Sequence, residues 1–375
     1  MGVKTSGRPP LGHRAPVPDL VSIVDAAYEF TRPEEDWLRG VANAALGSLN
    51  RGGGLHAFLI DLGDVEFPVH TPVSVGLSPA WDRRWRKDWW DEFILATDSA
   101  ALRRMVTYGP VTFATQIWQG VAAEIPTYRA YLEARARAGY GATLRRFTTD
   151  PTRASGDGMA YPDSFNVIGI DAGGVGVALV ANLLSPAKQP VSVRTAEAWS
   201  RVAAHAATAL RLRRVAGSAR SLLGSADAIL DTAGRVHHAV GDARDRSSIE
   251  SIRRTAIAAD RARRRRPRET SLGALEAWTA LTRGRWSVVD QFDSNDRRFI
   301  VASRNAPVVT PRAGLSEREE QVARAVALGH SNKEIGYALG IAASTVANHL
   351  TGAIRKLGCR SRVDLIRLLN EGRKE

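Results

Sequence analysis

The sequence predicts a multidomain chain, an α+β region over residues 20–310 followed by an all-α four-helix domain over residues 311–375. Three observations predict it. Helical and strand-like apolar patterns alternate through the first part, separated by turns rich in Gly and Asp. Toward the C-terminus, Ser316 with Glu319, Ser331 with Glu334 and Ser361 with Asp364 each set a hydroxyl and a carboxylate three residues apart, the spacing of a capped helix start. Finally, 375 residues are too many for one ordinary core and enough for two or three.

The chain opens on a polar, Pro-rich stretch, residues 1–19, which reads as a disordered tail rather than a signal peptide. No run of eighteen apolar residues follows, so no membrane partner is expected. The single cysteine, Cys359, can form neither an internal disulfide nor a thiolate metal site, which points to a reducing cytoplasm and to a half-buried core thiol. A net charge of +13, densest after residue 215, favours a polyanion such as DNA without specifying a sequence. Only six of the 52 basic residues are Lys, a bias that fits a GC-rich coding sequence, so Arg content alone carries little weight.

Residues 20–215 alternate element types. Trp37, Val41, Ala44 and Ala45 begin a helical stripe, and Leu55 to Leu62 reads as a buried strand. Phe165 to Ile170 and Val175 to Asn182 flank Asp171-Ala-Gly-Gly174, a hairpin by its turn chemistry and not a phosphate loop, since the Gly spacing and following helix are wrong for one. Ala196 to Arg214 closes the region as a helix with Trp199, Val202, Ala206 and Leu210 on one side. In between, Trp81, Trp85 and Trp89 recur every four residues beside Trp90, with Arg83, Arg84, Arg86 and Lys87 interleaved. Such a face suits a pocket for a flat ligand or a subunit interface, and equally a helix packed on the sheet with Arg stems over the rings. The order of elements resembles a GAF-type domain in layout, which implies sensing of a small molecule or a protein.

In residues 216–310, Ala228 to Val240 forms two short strands about Asp231-Thr-Ala-Gly234, and Arg285 to Ala302 repeats the form about Asp293-Ser-Asn-Asp296. Helices Ile249 to Ala262 and Leu272 to Leu281 lie between. Paired hairpins around helices resemble a reduced PAS-like module, or a linker of that build. The run Arg261 to Arg268 suits either added phosphate contact or a solvated helix end. His237 and His238, adjacent in a strand, point to opposite faces and cannot grip one metal ion.

The last region reads as four short capped helices. Val322 and Val326; Ile335 and Leu339; Val346, Leu350, Ile354 and Leu357; and Val363, Ile366 and Leu369 form stripes that close one small core. Gly340-Ile-Ala-Ala343 leaves room only for a helix-turn-helix, with Gly340 suited to positive φ. On the third helix Thr345, Ala347, Asn348, Thr351, Gly352, Arg355 and Lys356 fall off the stripe and are expected to face solvent or a major groove. Asn348 suits a bidentate contact to adenine, Thr351 a base edge or thymine methyl, and Arg355 and Lys356 phosphates.

Through L-S-x-R-E from Leu315, G-x-S-N-K-E-I from Gly329, L-G-I-x-x-S-T-V from Leu339, N-H-L from Asn348 and K-L-G from Lys356, this block resembles the LuxR-type (NarL/FixJ-like) helix-turn-helix of bacterial transcription regulators. The resemblance implies a recognition helix from about Ser344 to Leu357, a last helix from Ser361 that pairs two subunits, and phosphate contacts near Ser331, Asn332 and Lys333. Together with Ser344, Thr345, Ala347, Asn348, Thr351, Arg355 and Lys356 these are the candidate DNA-binding residues. Ala347 stands where the family usually carries Lys, which alters the expected operator but not the fold.

The expected function is therefore a cytoplasmic, sequence-specific transcription regulator, a homodimer on a two-fold site of double-stranded DNA, controlled by a small-molecule or protein signal at the N-terminal region. The alternative is a signalling module whose N-terminal domains dock a regulatory protein. No nucleophile–base pair, metal-ligand cluster or phosphate loop points to an enzyme or a cofactor, and Asp61 lacks the acidic pair and the later Lys strand of a phosphoacceptor receiver.

Overall fold

The computed structural model describes residues 19–86, 90–91, 94–95, 97, 99–114, 116–117, 163–171, 173–183, 190–216, 226–264, 286–292, 298–304 and 314–371. Residues 1–18 of the predicted tail, Trp89, the helix expected over Leu272 to Leu281 and the Arg run beyond Arg264 lie outside these residues, while Asp19, counted in that tail, belongs to the start of the first helix.

Two helices precede the first sheet. Helix α1 (Leu20–Ala27) starts at Asp19, whose carboxylate accepts from the Ser22 amide, and buries Leu20, Ile23, Val24 and Ala27. These residues form an i, i+3, i+4, i+7 stripe, the spacing of one helix face. Helix α2 (Glu34–Leu49) begins after Pro33 with Glu34, Glu35 and Asp36 in its first turn, where the helix dipole favours negative charge. Its Trp37 is buried with the indole N–H on the Ala27 carbonyl at 2.8 Å, which ties α2 to the end of α1.

Five antiparallel strands follow in the order β2-β1-β5-β4-β3, with β1 Gly52–Asp61, β2 Val69–Val75, β3 Val111–Phe113, β4 Asp163–Ile170 and β5 Val175–Leu183. Helices α3 (Pro79–Trp85) and α4 (Ser99–Val106) lie between β2 and β3, and α5 (Val193–Ala216) closes the region. Side chains alternate across the sheet. Leu55, Ala57, Leu59, Val177, Leu179 and Ala181 belong to the core formed with α1, α2 and α5, while Phe58, Ile60, Ile168, Ile170 and Ala178 form a second cluster with Val106 of α4. Strand β1 is covered on both faces, which is why it reads as an unbroken apolar run. Strand β2 carries Pro72, which a central strand would not accommodate. It lies at the sheet edge, and its pairing with β1 slips beside Thr71, at φ 51°, so the missing amide costs no ladder bond. At Gly169 a Cβ would sit 2.0 Å from the Ala203 carbonyl oxygen, so only glycine lets β4 pass this close to α5.

The expected hairpin joins β4 to β5. Asp171 accepts from the amides of Gly173 and Val175 and pairs with Arg211 of α5 at 3.1 Å. Burial pushes its carboxyl above the usual range, with Arg211 opposing.

A second antiparallel sheet has the order β7-β6-β9-β8, from β6 (Ala228–Asp231), β7 (Val236–Ala239), β8 (Trp286–Phe292) and β9 (Arg298–Arg304). Both expected strand pairs are present, β6 with β7 and β8 with β9, and β6 pairing with β9 joins them; the turn expected at Asp293 to Asp296 lies outside the described residues. Helix α6 (Arg246–Arg264) packs through Ile252 and Ala256, and its Asp260 holds Arg298 of β9 at 3.2 Å. Leu230, Trp286, Val288 and Ile300 join the core of the first sheet in one continuous cluster. His237 and His238 are exposed on β7.

The C-terminal helices are α7 (Glu317–Ala327), α8 (Asn332–Leu339), α9 (Ala343–Lys356) and α10 (Arg362–Glu371). They close a separate core from Val322, Val326, Ile335, Val346, Leu350, Ala353, Leu365 and Leu369, with Cys359 packed beside it. Two expectations need correction. Val363 is exposed, and Leu365 takes the core position because Leu365 and Leu369 stack one turn apart on the buried side of α10. Helix α9 has no side-chain cap, since Ala342 occupies the N-cap and Ser344 lies within the first turn. Among the described residues no helix is long and apolar enough to cross a membrane.

Candidate nucleic-acid interface

Local chemistry sets the angle between α8 and α9. Ser331 Oγ accepts from the Glu334 amide at 3.3 Å and the Glu334 carboxylate accepts from the Ser331 amide at 2.7 Å, a reciprocal cap that starts α8. Ser316 and Glu319 make the same pair on α7. Helix α8 ends at Gly340 in the left-handed region (φ 67°, ψ 34°), and the Ile341 amide returns to the Gly336 carbonyl at 2.9 Å. A Cβ on Gly336 would lie 2.7 Å from the Ile341 carbonyl oxygen, so two glycines permit the tight turn.

Beyond that turn α9 buries Val346, Leu350 and Ala353 and turns outward Ser344, Asn348, Thr351, Arg355 and Lys356, with Thr345 and Ala347 half-buried beside them. The side chains of Asn348 and Arg355 make no hydrogen bond or ion pair among the described residues, so both are available to a ligand. Thr351 is exposed, and its Oγ1 donates to the Ala347 carbonyl at 2.9 Å, which restrains its rotamer. Lys356 is differently placed, with its ammonium 2.7 Å from Glu319 of α7. That ammonium, with the Ser316 amide, holds the Glu319 carboxyl down to about 2. Gly352, expected from the sequence to lie off the apolar stripe, makes room for this carboxylate: a Cβ there would meet Glu319 Oε1 at 2.4 Å.

The candidate phosphate contacts at the start of α8 are also engaged. Ser331 serves the cap, Asn332 accepts from Arg362 of α10 at 3.0 Å, and Lys333 lies 2.5 Å from Glu197 of α5. Lys333 holds Glu197 below the usual carboxylate range by that hydrogen bond and by its charge.

Lys333–Glu197 belongs to a seam between α5 and α8. Ser200 Oγ donates to Glu334 at 2.8 Å, and the Arg201 guanidinium lies 5.3 Å over the Tyr337 ring. His205 is fully buried between two tyrosines, Nδ1 at 3.1 Å from Tyr28 and Nε2 at 3.0 Å from Tyr337. Burial holds its pKa down to about 3, so the ring is neutral, with one nitrogen donating to a tyrosine oxygen and the other accepting from a hydroxyl. Leu328, at the end of α7, is inserted among Phe58, Ile60, Ile168 and Ala178 on the other side of the first sheet. Along the seam lies a cavity of about 980 Å³ whose walls include Asp171, Val193, Ala204, Arg211, Arg318 and Ile341.

The remaining candidates are placed as follows. Trp81 and Trp85 lie on α3, and Trp89 lies outside the described residues. Their neighbour Trp90 packs against Phe58 and Phe67 with ring centroids 6.4 and 6.3 Å away. His56 is buried with Nδ1 3.0 Å from Ser74 Oγ, and burial holds its pKa well below the ordinary value. Among the described residues no three His, Cys, Asp or Glu side chains gather as a metal site would require. Sequence reasoning missed Glu197, His205 and Tyr337. Each is an isolated polar residue on an otherwise ordinary helix, and no spacing marks it as part of an interdomain seam.

Residues 313–369 match the GerE family model, the bacterial regulatory proteins of the luxR family. No curated protein matches the chain. The matched segment covers α7 to α9 and most of α10, and it supports a DNA-binding transcription regulator.

Proposed function

We propose that the chain is a cytoplasmic bacterial transcription regulator that binds a two-fold DNA site as a homodimer through α9, under control of a signal received by its N-terminal region. The observation that carries this reading is the outward row Ser344, Asn348, Thr351 and Arg355, presented by the α8–Gly340–α9 turn within the family match. In this reading Asn348 reads a base edge, Arg355 takes a phosphate, and Ser331, Asn332 and Lys333 anchor the backbone. Exposed Val363 and Leu368 on α10 support pairing of two readers, which would present two α9 helices to half-sites about 34 Å apart. The strand layouts of the two sheets support GAF-like (20–215) and PAS-like (216–310) sensing regions. We place a small-molecule signal in the cavity between α5 and α8. No catalytic role is assigned.

The test is a selection from random duplex DNA with the full chain, followed by titration of the enriched site. Enrichment of a palindrome whose discrimination is lost in Asn348→Ala supports the reading. Binding with no preference among sequences refutes it.

A second reading has the N-terminal region dock a regulatory protein. The α5 face that already holds a protein surface, through Glu197, Ser200 and His205, favours it. Binding of a protein rather than a metabolite to the full chain at that face would separate the two.

A further inference from the structure

The contact between α5 and α8 has a specific relation to the proposed DNA surface. Resting on the reading above, we propose that the α5 face formed by Glu197, Ser200 and His205 is a docking surface for the backbone-anchoring helix of the reader, and that DNA must displace it.

The chemistry at Lys333 carries the argument. Its ammonium lies 2.5 Å from a carboxylate oxygen of Glu197, where a DNA phosphate oxygen would otherwise sit. A duplex brought to the start of α8 meets a fixed carboxylate at its phosphates, and like charges at that range repel. The ammonium has donors to spare, but a phosphate drawn to it is repelled by the carboxylate already there, so α5 and DNA compete for it. Glu197 alone is a partly exposed ion pair and contributes little. The docked state is held by more than this pair: Ser200 on Glu334, the Tyr337 hydroxyl on His205, and Leu328, which is 3% exposed within the cluster of the first domain and would meet water on separation. Meanwhile Ser344, Asn348, Thr351 and Arg355 stay outward. The device therefore withholds the backbone anchor and leaves the base-reading face open. While the docked state dominates, whatever weakens docking tightens DNA binding by the same factor, up to the affinity of the fully open reader.

The experiment uses full-length protein and a fluorescent random-sequence duplex of about 30 base pairs titrated across salt, because phosphate contact alone is sufficient as a probe. Glu197→Ala removes the competing carboxylate. Tyr337→Phe keeps the ring but leaves His205 short of a partner only when docked. We expect the single variants to bind the duplex several-fold more tightly, and the double variant about tenfold or more. Glu250→Ala, which removes an exposed carboxylate from α6, should stay within about twofold. In parallel, a water-soluble carbodiimide should join Glu197 to Lys333 as an amide in the free protein, detected by mass spectrometry, and excess duplex should suppress it. The Glu319–Lys356 amide serves as the reference for a folded reader in the DNA-free sample.

Equal affinity of the wild type and the double variant overturns the proposal while leaving the DNA-binding reading intact. So does a Glu197–Lys333 cross-link that persists at saturating duplex, or one that never forms while the reference does. If neither the wild type nor the opened variants bind duplex although the cross-link forms, the DNA-binding reading itself fails and the competition fails with it.

Discussion

Lys356 donates to Glu319 at 2.7 Å across the first and third helices of the reader, and this pair couples the proposed recognition helix to the helix that starts the domain. Glu319 is also the capping carboxylate of α7, so one side chain serves two ends of the core. Glu319→Gln should destabilise the reader by about 1.5–3 kcal/mol at neutral pH, the range for hydrogen bonds to charged groups. The pH dependence follows from its lowered pKa. Stabilisation by the carboxylate is complete above about 4.5, its ordinary value, and is lost as pH falls from there through about 2. Urea unfolding of wild type and variant at pH 7 and pH 3 checks this: the gap between the curves should narrow in acid, and a constant gap counts against the pair.

The same pair predicts unequal roles for two neighbouring cations. Among the described residues the Arg355 side chain has no partner, whereas Lys356 is already partnered. Arg355→Gln should therefore lower the slope of log affinity against log salt by about 0.9, and Lys356→Gln by clearly less. Asn348→Ala should change stability by no more than about 0.5 kcal/mol while costing about 1–3 kcal/mol of discrimination at one base pair. Binding isotherms on the selected site and on single-base variants would show both effects.

The turn that aims α9 depends on two glycines for different reasons. Gly340→Ala forces an L-residue into the left-handed region, which costs about 1–2 kcal/mol. Gly336→Ala drives a methyl into the backbone at Ile341, and overpacking of about 1–3 kcal/mol outweighs a helix-propensity gain of about 1. Denaturant midpoints should fall for both. A more stable Gly336→Ala would show that the turn relaxes freely.

His205 predicts sensitivity to mild acid. Its pKa is about 3 in the folded protein against 6.5 ordinarily, so between those values the unfolded chain binds more protons and stability falls as pH drops below 6.5. The groups facing it are Tyr28 of the α1 end and Tyr337 of α8, with Arg201 over the Tyr337 ring. Buried His56 shifts in the same direction and adds to the decline. From pH 6.5 to 5 the contribution of one such imidazole is about 2 kcal/mol. In His205→Gln, which keeps a donor and an acceptor, the loss between pH 7 and pH 5 should be smaller. An unchanged loss would assign the acid sensitivity elsewhere.

What the sequence determined by itself was local. The Ser–Glu spacings at 316/319 and 331/334, the left-handed Gly340 and the apolar stripes of α7 to α9 are short-range signals, and each helix formed where its own residues dictated. The Asp171 and Gly234 hairpins were legible for the same reason, because turn chemistry lies within four residues. Tertiary structure decided the rest. Pro72 could be tolerated in β2 only because that strand came to lie at an edge, and Val363 was left in water because α10 met the core through Leu365 and Leu369. Whether Lys333 faces DNA or Glu197, and whether Lys356 is available or held by Glu319, depends on residues 136 and 37 positions away. Electrostatic pairing depends on distance in space, and no periodicity along the chain records which carboxylate will be brought beside which ammonium.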